Sequence, residues 1–196
     1  MNYRLDKNIF EIILSEERPI HRLSQYAHRN QFRRTGEPYF FHPQEVGEIV
    51  DDYYDDDITY HVAMLHDALE DGIPLGNIND EDHFFDLLID ELDEADIESA
   101  DQIFDAVKLL TKQTGQDYID YVNLVIKNRY ALRVKLADMM QNIGDNPSKK
   151  QVVKYANAKN YLVNAFRDKV PAGISNKHWQ DFKQAIENAQ KSQKEN

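Results

Sequence analysis

The chain has 196 residues, a formal net charge of −12 at pH 7 and no cysteine. This length can bury a sizeable core, so we expect one domain over residues 1–196, with a motif-bearing core at about 20–168 and a C-terminal helix and frayed tail at 172–196. Without cysteine, disulfides, thiolate zinc sites and a cysteine nucleophile are excluded, and any metal is held by His, Asp and Glu. No apolar run is long enough for a signal peptide or a membrane span, which favours a soluble, cytoplasmic protein.

The charge is distributed unevenly along the chain. No Lys or Arg occurs between Thr35 and Val107, and this stretch contains an acidic block at residues 51–105. Such a block repels a nucleic-acid backbone, because non-specific binding depends on Lys and Arg that neutralise phosphates. A small anionic substrate would have to be bound by the basic ends of the chain. The simplest interpretation of the block is a solvated surface, and the alternative is a docking surface for a protein partner.

Hydrophobic periodicity predicts helices along the whole chain and no strand of useful length, so the predicted fold class is all-α. Pro43 is well placed at the first position of a helix, which leaves His42 at or just before the start of that helix. A single central helix is predicted to begin near Thr59 and to end at Gly72. In chain order the predicted helices are at residues 8–17, 19–31, 43–53 and 59–72, two between 80 and 111, one after Gly115, one at 128–142, one at 148–168, and a short one carrying Trp179 and Phe182.

The stretch at residues 61–72 has the strongest chemical signature. His66 and Glu70 are four residues apart, as are Asp67 and Asp71, so on a helix they share one side of the surface. Like charges at this spacing destabilise a helix unless a cation lies between them. An adjacent His and Asp offer the mixed nitrogen and oxygen ligands that divalent transition metals accept, so the stretch predicts part of a metal site.

Further ligands must come from elsewhere in the chain. His42, His66, Asp67 and Asp138 together offer two imidazoles and two carboxylates from three predicted helices. This set resembles the pattern of the HD metal-dependent phosphohydrolases. More narrowly, the chain resembles the hydrolase domain of the RelA/SpoT family, the enzymes that remove the 3′-pyrophosphate from (p)ppGpp. The segments that carry the resemblance are Ala27-His28 with Gln31, residues 33–39 with His42-Pro43, Leu65-His66-Asp67 with Glu70-Asp71, and residues 134–138 with Asn142.

The resemblance implies an all-α HD-domain helical bundle with an active-site metal and a small-molecule nucleotide as substrate. The implied ligands of one divalent ion, usually manganese, are His42, His66, Asp67 and Asp138. The implied catalytic carboxylates, which work on the attacking water and the leaving group, are Glu70 and Asp71. The implied nucleotide-binding residues are Arg33, Arg34, Thr35 and Asn142. The chemistry agrees, because phosphate-ester hydrolysis needs charge neutralised on phosphoryl oxygens and a hydroxide generated near neutral pH, and a divalent cation does both.

The chain departs from the family pattern in three places. Met139 stands where family members commonly carry Arg or Lys, and Asp145 and Asn146 replace a segment that usually helps to hold the base. Gly72 replaces a common Thr. The first two departures leave the identity of the base open and predict looser base selectivity. With no synthetase or regulatory domain in this sequence, the chain resembles the small stand-alone hydrolases.

Two alternatives remain open at this point. The nearest is an HD phosphohydrolase that acts on another nucleotide, such as ppApp, NADPH or a nucleoside monophosphate. The second is a non-catalytic HD module that binds a nucleotide and reports it to a partner through the acidic block at residues 51–105. Glu70 and Asp71 argue against that module, because a sensor does not need hydrolytic carboxylates.

Overall fold

The computed structural model describes residues 19–92 and 97–195. In these ranges the regular elements are helices joined by loops, and there is no β-strand. The predicted all-α class is confirmed, while the predicted helix at 8–17 lies outside the described residues. None of the described helices is both long and apolar enough to cross a membrane. The helices are α1 Pro19–Ala27, α2 Phe41–Asp51, α3 Asp57–Leu65, α4 Ala68–Gly72, α5 Glu81–Glu91, a 3₁₀ turn Ile97–Ser99, α6 Ala100–Leu110, α7 Tyr118–Val125, α8 Arg129–Gly144, α9 Lys149–Ala165 and α10 Asn176–Glu195.

Helix α8 lies at the centre of the bundle. It packs against α2, α3, α6 and α10, and its buried residues Val134, Leu136, Ala137 and Met139 follow one another around the helix. A helix that is apolar on several sides is stable in water only when other helices cover it. The buried Asp138 on α8 therefore faces neighbouring helices, and it lies close to His42 in α2 and to His66 at the end of α3.

Side-chain caps define where several helices begin. Asp80, Asp117 and Asn128 each accept hydrogen bonds from backbone N–H groups in the first turn of α5, α7 and α8. Ser148 and Gln151 form a reciprocal capping box at the start of α9. Each cap satisfies amide groups that have no partner within the helix. The sequence therefore predicts these starts locally, and the predicted helices near 128 and 148 begin where their caps lie.

The predicted central helix is interrupted, and that prediction was wrong. Helix α3 ends at Leu65 and α4 starts at Ala68, with Asp67 at φ −101° and ψ −1° between them. The Nδ1 atom of His66 lies 2.8 Å from the carbonyl oxygen of Ala63, the oxygen that would accept the N–H of Asp67 in a continuous helix. The imidazole thus competes with the backbone for that acceptor where the chain turns at His66 and Asp67.

Other boundaries also differ from the prediction. Helix α2 begins at Phe41, because a turn in which the His42 N–H donates to the Tyr39 carbonyl (2.8 Å) extends it backwards, and His42 is buried in the first turn. Helix α10 runs from Asn176 to Glu195, where only a short helix was predicted. Its buried Trp179 packs on the bundle, and this tertiary contact is absent from the local sequence pattern.

The acidic turn before α3 is partly structural. Asp56 accepts hydrogen bonds from the Thr59 hydroxyl (2.9 Å) and from the Arg133 guanidinium (2.5 Å). Asp52, Asp55 and Asp57 are exposed, as expected for a solvated surface. The turn therefore ties α3 to α8 through one aspartate, whereas a role of the whole block in partner binding stays a prediction.

A buried histidine anchors α10. His178 is fully buried, its Nδ1 is hydrogen-bonded to the Tyr54 hydroxyl (2.9 Å), and its ring stacks on Tyr53 with centroids 4.3 Å apart. Burial, only partly offset by the nearby Asp181 carboxylate, lowers the pKa of His178 to about 3. The ring is therefore neutral in the folded protein, whereas an unfolded histidine binds a proton near about pH 6.5.

His178 is expected to make the protein acid-sensitive. Between about pH 6.5 and about pH 3 the unfolded chain binds more protons than the folded one at this residue, so stability falls as pH falls through this window. The His178→Gln variant should therefore lose less of its urea midpoint between pH 7 and pH 4.5 than the wild type does. The His83→Gln variant, altered at a half-buried histidine on α5, serves as control. Equal losses in His178→Gln and wild type would contradict the assignment.

Candidate metal centre

Three helix-bearing segments bring the predicted ligands together. His42 lies in the first turn of α2, His66 and Asp67 form the break between α3 and α4, and Asp138 lies on α8. The Nε2 atom of His66 is 3.2 Å from Asp67 Oδ2, and the Nε2 atom of His42 is 3.6 Å from the same oxygen. Asp138 Oδ1 is 3.3 Å from His42 Nε2 and 3.9 Å from His66 Nε2. The four side chains therefore point their ligand atoms at one shared point.

Hydrogen bonds on the outer nitrogens orient both imidazoles. Nδ1 of His66 lies 2.8 Å from the Ala63 carbonyl oxygen, and Nδ1 of His42 lies 2.9 Å from Oε1 of Gln141. An acceptor on each Nδ1 favours the proton there and leaves each Nε2 free to bind a metal. Gln141 is held in turn by Glu45, whose carboxylate accepts from its amide. This arrangement is typical of metal-ligating histidines, which use the second nitrogen for positioning.

Both carboxylates of the group have protein donors as well. The hydroxyl of Tyr39 donates to Asp67 Oδ2 (2.7 Å). The ammonium of Lys135 lies 2.7 Å from Asp138 Oδ2, and the amide of Asn142 donates to Asp138 Oδ1 (2.5 Å). Each carboxylate is therefore fixed in position, and its oxygen lone pairs still face the shared point.

Electrostatic attraction among the charged side chains outweighs the effect of burial on the pKa values of His66, Asp67 and Asp138. Burial favours the neutral imidazole of His66, but the carboxylates of Asp67 and Asp138 raise its pKa to about 9. Burial would raise the pKa of both aspartates, yet His66 holds the pKa of Asp67 well below its usual range, and Lys135 lowers the pKa of Asp138. A site with this field stabilises positive charge between its carboxylates.

The donor set fits a divalent transition-metal ion. His42, His66 and Asp67 offer ligand atoms within 4.8 Å of one another, so this group is able to bind a metal. The Nε2 atom of His66 is buried and faces carboxylate oxygens of Asp67 (3.2 Å) and Asp138 (3.9 Å), as expected for a nitrogen directed at a shared metal. Asp138 lies outside this tightest group of three, and its role as the fourth ligand stays a prediction supported by its distances to the two Nε2 atoms.

Glu70 and Asp71 face different surroundings. Glu70 lines a cavity beside the metal group, and its Oε2 accepts the backbone N–H of Lys112 (2.8 Å). Asp71 accepts a hydrogen bond from the Gln31 amide (2.9 Å) and lies 4.0 Å from Nδ1 of His28. Burial, together with the nearby Asp67, raises the pKa of both carboxyl groups. Of the two predicted catalytic carboxylates, Glu70 is therefore the one that borders the cavity.

Two cavities meet at the metal group. The larger, of about 860 Å³, is lined by the predicted nucleotide-binding residues Arg33, Arg34, Thr35 and Asn142. The smaller, of about 290 Å³, is lined by Asp67, Glu70, Asp138 and by residues of α7, α8 and α9. Tyr39, His42 and Asn142 line both cavities. A ligand that reaches from one cavity into the other therefore passes the predicted metal ligands.

The two arginines of the larger cavity differ in their partners. Arg33 is bound by two carboxylates, with Glu45 at 2.9 Å and Asp145 at 2.6 Å. Arg34 is exposed on the cavity wall and pairs with no carboxylate among the described residues. The bridge between Phe32 and Pro38 holds this loop in shape. The charge of Arg34 is therefore free for an anion, while that of Arg33 is largely compensated.

The family departures have different structural meanings. Met139 is fully buried in the core and lines neither cavity, so the expectation that it affects the base is not supported. Asp145 and Asn146 do line the larger cavity. At Gly72 an added Cβ would lie 2.9 Å from the Cδ1 atom of the buried Ile78, so a larger residue there requires the Ile78 side chain to shift.

Several residues of the site were not predicted. Tyr39 and Gln31 lie inside the segments that carry the family resemblance. Their hydrogen bonds to Asp67 and Asp71 could have been predicted from that position. Gln141 follows Asp138 at helical spacing, which is a usable signal. Tyr118 and Lys154 enter the smaller cavity from α7 and α9, and only the tertiary fold brings them there.

No family model matches the chain. It is 50% identical over 44 residues to the GTP pyrophosphokinase rsh of Brucella melitensis biotype 1, a segment of 22% of this chain and 6% of that protein. The resemblance to the RelA/SpoT family is confirmed. Among other RelA/SpoT relatives, the guanosine-3′,5′-bis(diphosphate) 3′-pyrophosphohydrolase of Haemophilus influenzae is 41% identical over 49 residues, 25% of this chain and 7% of that protein. The GTP pyrophosphokinase of Myxococcus xanthus is 40% identical over 48 residues, 24% of this chain and 6% of that protein. The matches thus cover only a small part of each relative's length.

Removal of a predicted ligand should remove the metal. Purified wild-type protein is expected to carry about one divalent ion per chain, and His66→Ala and Asp67→Ala should each lose it, because a site with few ligands depends on every one. Elemental analysis of the purified proteins measures this directly. The His83→Ala variant, altered away from the group on α5, should keep its metal. Full metal content in both ligand variants would refute the site.

Proposed function

We propose that this chain hydrolyses a 3′-pyrophosphorylated nucleotide, (p)ppGpp-like, and releases pyrophosphate with the help of one divalent metal ion, Mn²⁺ being the first candidate. The observation that carries the proposal is the position of the His66 and Asp67 group between two cavities, with Glu70 on the wall of the smaller one. The similarity to the guanosine-3′,5′-bis(diphosphate) 3′-pyrophosphohydrolase of Haemophilus influenzae, over a short matched segment, supports this reaction. Assignment to the HD hydrolase subgroup is part of the same proposal.

The larger cavity suits the nucleoside part of such a substrate. Its volume of about 860 Å³ lies in the range of small-molecule sites, and Arg34, Thr35 and Asn142 offer donors along its wall. Asn142 lies where the two cavities meet, beside Asp138. A nucleotide bound with its base in the larger cavity would present its 3′ substituent to the smaller cavity and to the metal group.

The metal ion, Glu70 and Asp71 have different roles in the proposed reaction. When bound, a divalent ion supplies charge neutralisation on phosphoryl oxygens and lowers the pKa of water. Glu70 accepts a proton from the attacking water as the water oxygen bonds to the phosphorus attached to the ribose 3′ oxygen. The bond between that phosphorus and the 3′ oxygen breaks, pyrophosphate leaves, and a proton returns to the 3′ oxygen. Asp71 acts from outside the cavity by holding Gln31 and the turn that precedes α2.

A panel of nucleotides tests the reaction. Purified protein with Mn²⁺ should release pyrophosphate from both ppGpp and ppApp, with kcat/KM values within about tenfold of each other, because Asp145 and Asn146 line the larger cavity in place of the segment that resembles a base-holding one in the family. NADPH and simple nucleoside monophosphates are the comparison substrates. Cleavage of monophosphates alone would favour the rival phosphohydrolase. Tight nucleotide binding without any turnover would favour the non-catalytic HD module.

Charge removal at the carboxylates separates chemistry from binding. Glu70→Gln keeps an oxygen for the Lys112 N–H but no longer accepts a proton, so turnover should fall by about 10²-fold or more while metal content is unchanged. Asp71→Asn should also lower turnover without loss of metal. The Glu98→Gln variant, changed at an exposed carboxylate in the 3₁₀ turn, provides the matched control. Wild-type turnover in both site variants would place water activation at other residues.

A further inference from the structure

One hydroxyl in the smaller cavity has no protein partner. The hydroxyl oxygen of Tyr118 is buried and makes no hydrogen bond to any described residue, although the ring lines the cavity beside Glu70. Tyr121, three residues further along α7, donates its hydroxyl to the Leu110 carbonyl oxygen (2.7 Å). A buried polar atom without a partner is costly, so an exception calls for a ligand or another explanation. Of these two tyrosines on one turn of α7, Tyr121 therefore has a structural hydrogen bond, and the hydroxyl of Tyr118 is available to a ligand.

Two lysines of the smaller cavity also form no ion pair with a described residue. The ammonium of Lys154 lies over the rings of Tyr118 (4.8 Å) and Tyr155 (4.4 Å), and it pairs with no carboxylate in the described part of the chain. Lys112 lines the same cavity and likewise forms no ion pair with a described residue, whereas Lys135 is bound to Asp138. Unpaired ammonium groups at a cavity wall are unexpected in a chain of net charge −12, because carboxylates are plentiful.

We propose that the wall of the smaller cavity formed by Tyr118, Lys154 and Lys112 is an anion subsite that holds the terminal phosphate of the 3′-diphosphate and the released pyrophosphate. In this site the Tyr118 hydroxyl donates a hydrogen bond to a phosphate oxygen, and the two lysines neutralise its charge. The inference deepens the proposed function and rests on it for the identity of the substrate. The subsite itself requires only an anion of the diphosphate class.

The position of the subsite predicts a preference for a diphosphate over a monophosphate. Glu70 and the predicted metal ligands His42, Asp67 and Asp138 line the same cavity as Tyr118, so the phosphorus under attack and the terminal phosphate would both fit in its volume of about 290 Å³. A monophosphate bound at the metal group would leave Tyr118 and Lys154 without an anion. Burial raises the pKa of Tyr118 to about 12, so the hydroxyl keeps its proton at neutral pH and acts as a donor.

Pyrophosphate binding tests the subsite apart from catalysis. Calorimetric titration of the metal-loaded protein with inorganic pyrophosphate should give an affinity that Tyr118→Phe lowers by about tenfold, because the variant keeps the ring beneath Lys154 and loses only the donor. Tyr118→Phe should keep the wild-type melting temperature, since the lost hydroxyl has no protein partner. Tyr121→Phe should melt earlier, because the Leu110 carbonyl loses its donor. Tyr161→Phe, changed at a half-buried tyrosine on α9 that is hydrogen-bonded to Asn123, is the control for binding.

The outcomes separate the subsite from the reaction. Weaker pyrophosphate binding in both Tyr118→Phe and Lys154→Met, with metal content unchanged, supports the subsite. Equal pyrophosphate affinity in wild type and Tyr118→Phe overturns it, as does the absence of pyrophosphate binding to the wild type. Pyrophosphate binding that depends on Tyr118 in a protein that cleaves no 3′-pyrophosphorylated nucleotide supports the subsite and refutes the proposed function.

Discussion

The hydrogen bond between the His66 imidazole and the Ala63 carbonyl is the contact on which the site depends. It competes for the acceptor that a continuous helix would use, at the point where α3 ends and α4 follows. The same bond directs Nε2 of His66 towards Asp67 and Asp138. Because α4 starts again at once, Glu70 comes to lie on the wall of the smaller cavity. One side-chain contact thus sets both the backbone turn and the direction of the ligand atoms.

A chain of polar contacts connects the metal group with the larger cavity. His42 contacts Gln141, Gln141 donates to Glu45, Glu45 accepts from Arg33, and Arg33 pairs with Asp145 at the cavity wall. Every member has at least one partner, which favours a rigid arrangement over a mobile one. Because Arg33 is paired with two carboxylates, it holds this wall in position. The electrostatic attraction of an anionic substrate therefore depends on residues whose charge is not neutralised, such as Arg34.

Much of the fold and part of the site could be predicted from the sequence. Helical periodicity and caps locate most elements, and the spacing of Asp138 and Asn142 correctly predicts that they share a face, since their side chains are hydrogen-bonded. The break at His66 could not be predicted, because it results from a side chain that competes with the backbone for one acceptor. The surroundings of Met139 and Tyr118 could not be predicted from the sequence either, since neighbouring helices decide whether a helical residue faces the core or a cavity.

The close contact at Gly72 links two positions that are six residues apart. A Cβ at this position would meet the terminal Cδ1 methyl of the buried Ile78 at 2.9 Å, so the Ile78 side chain would have to turn away or be replaced by a smaller one. The Thr that family members commonly carry here makes the same demand on position 78. Across homologous sequences the two positions should therefore vary together, glycine with a large side chain and threonine with a small one. Such covariation would show that the packing between α4 and the segment before α5 is adjusted at both positions at once.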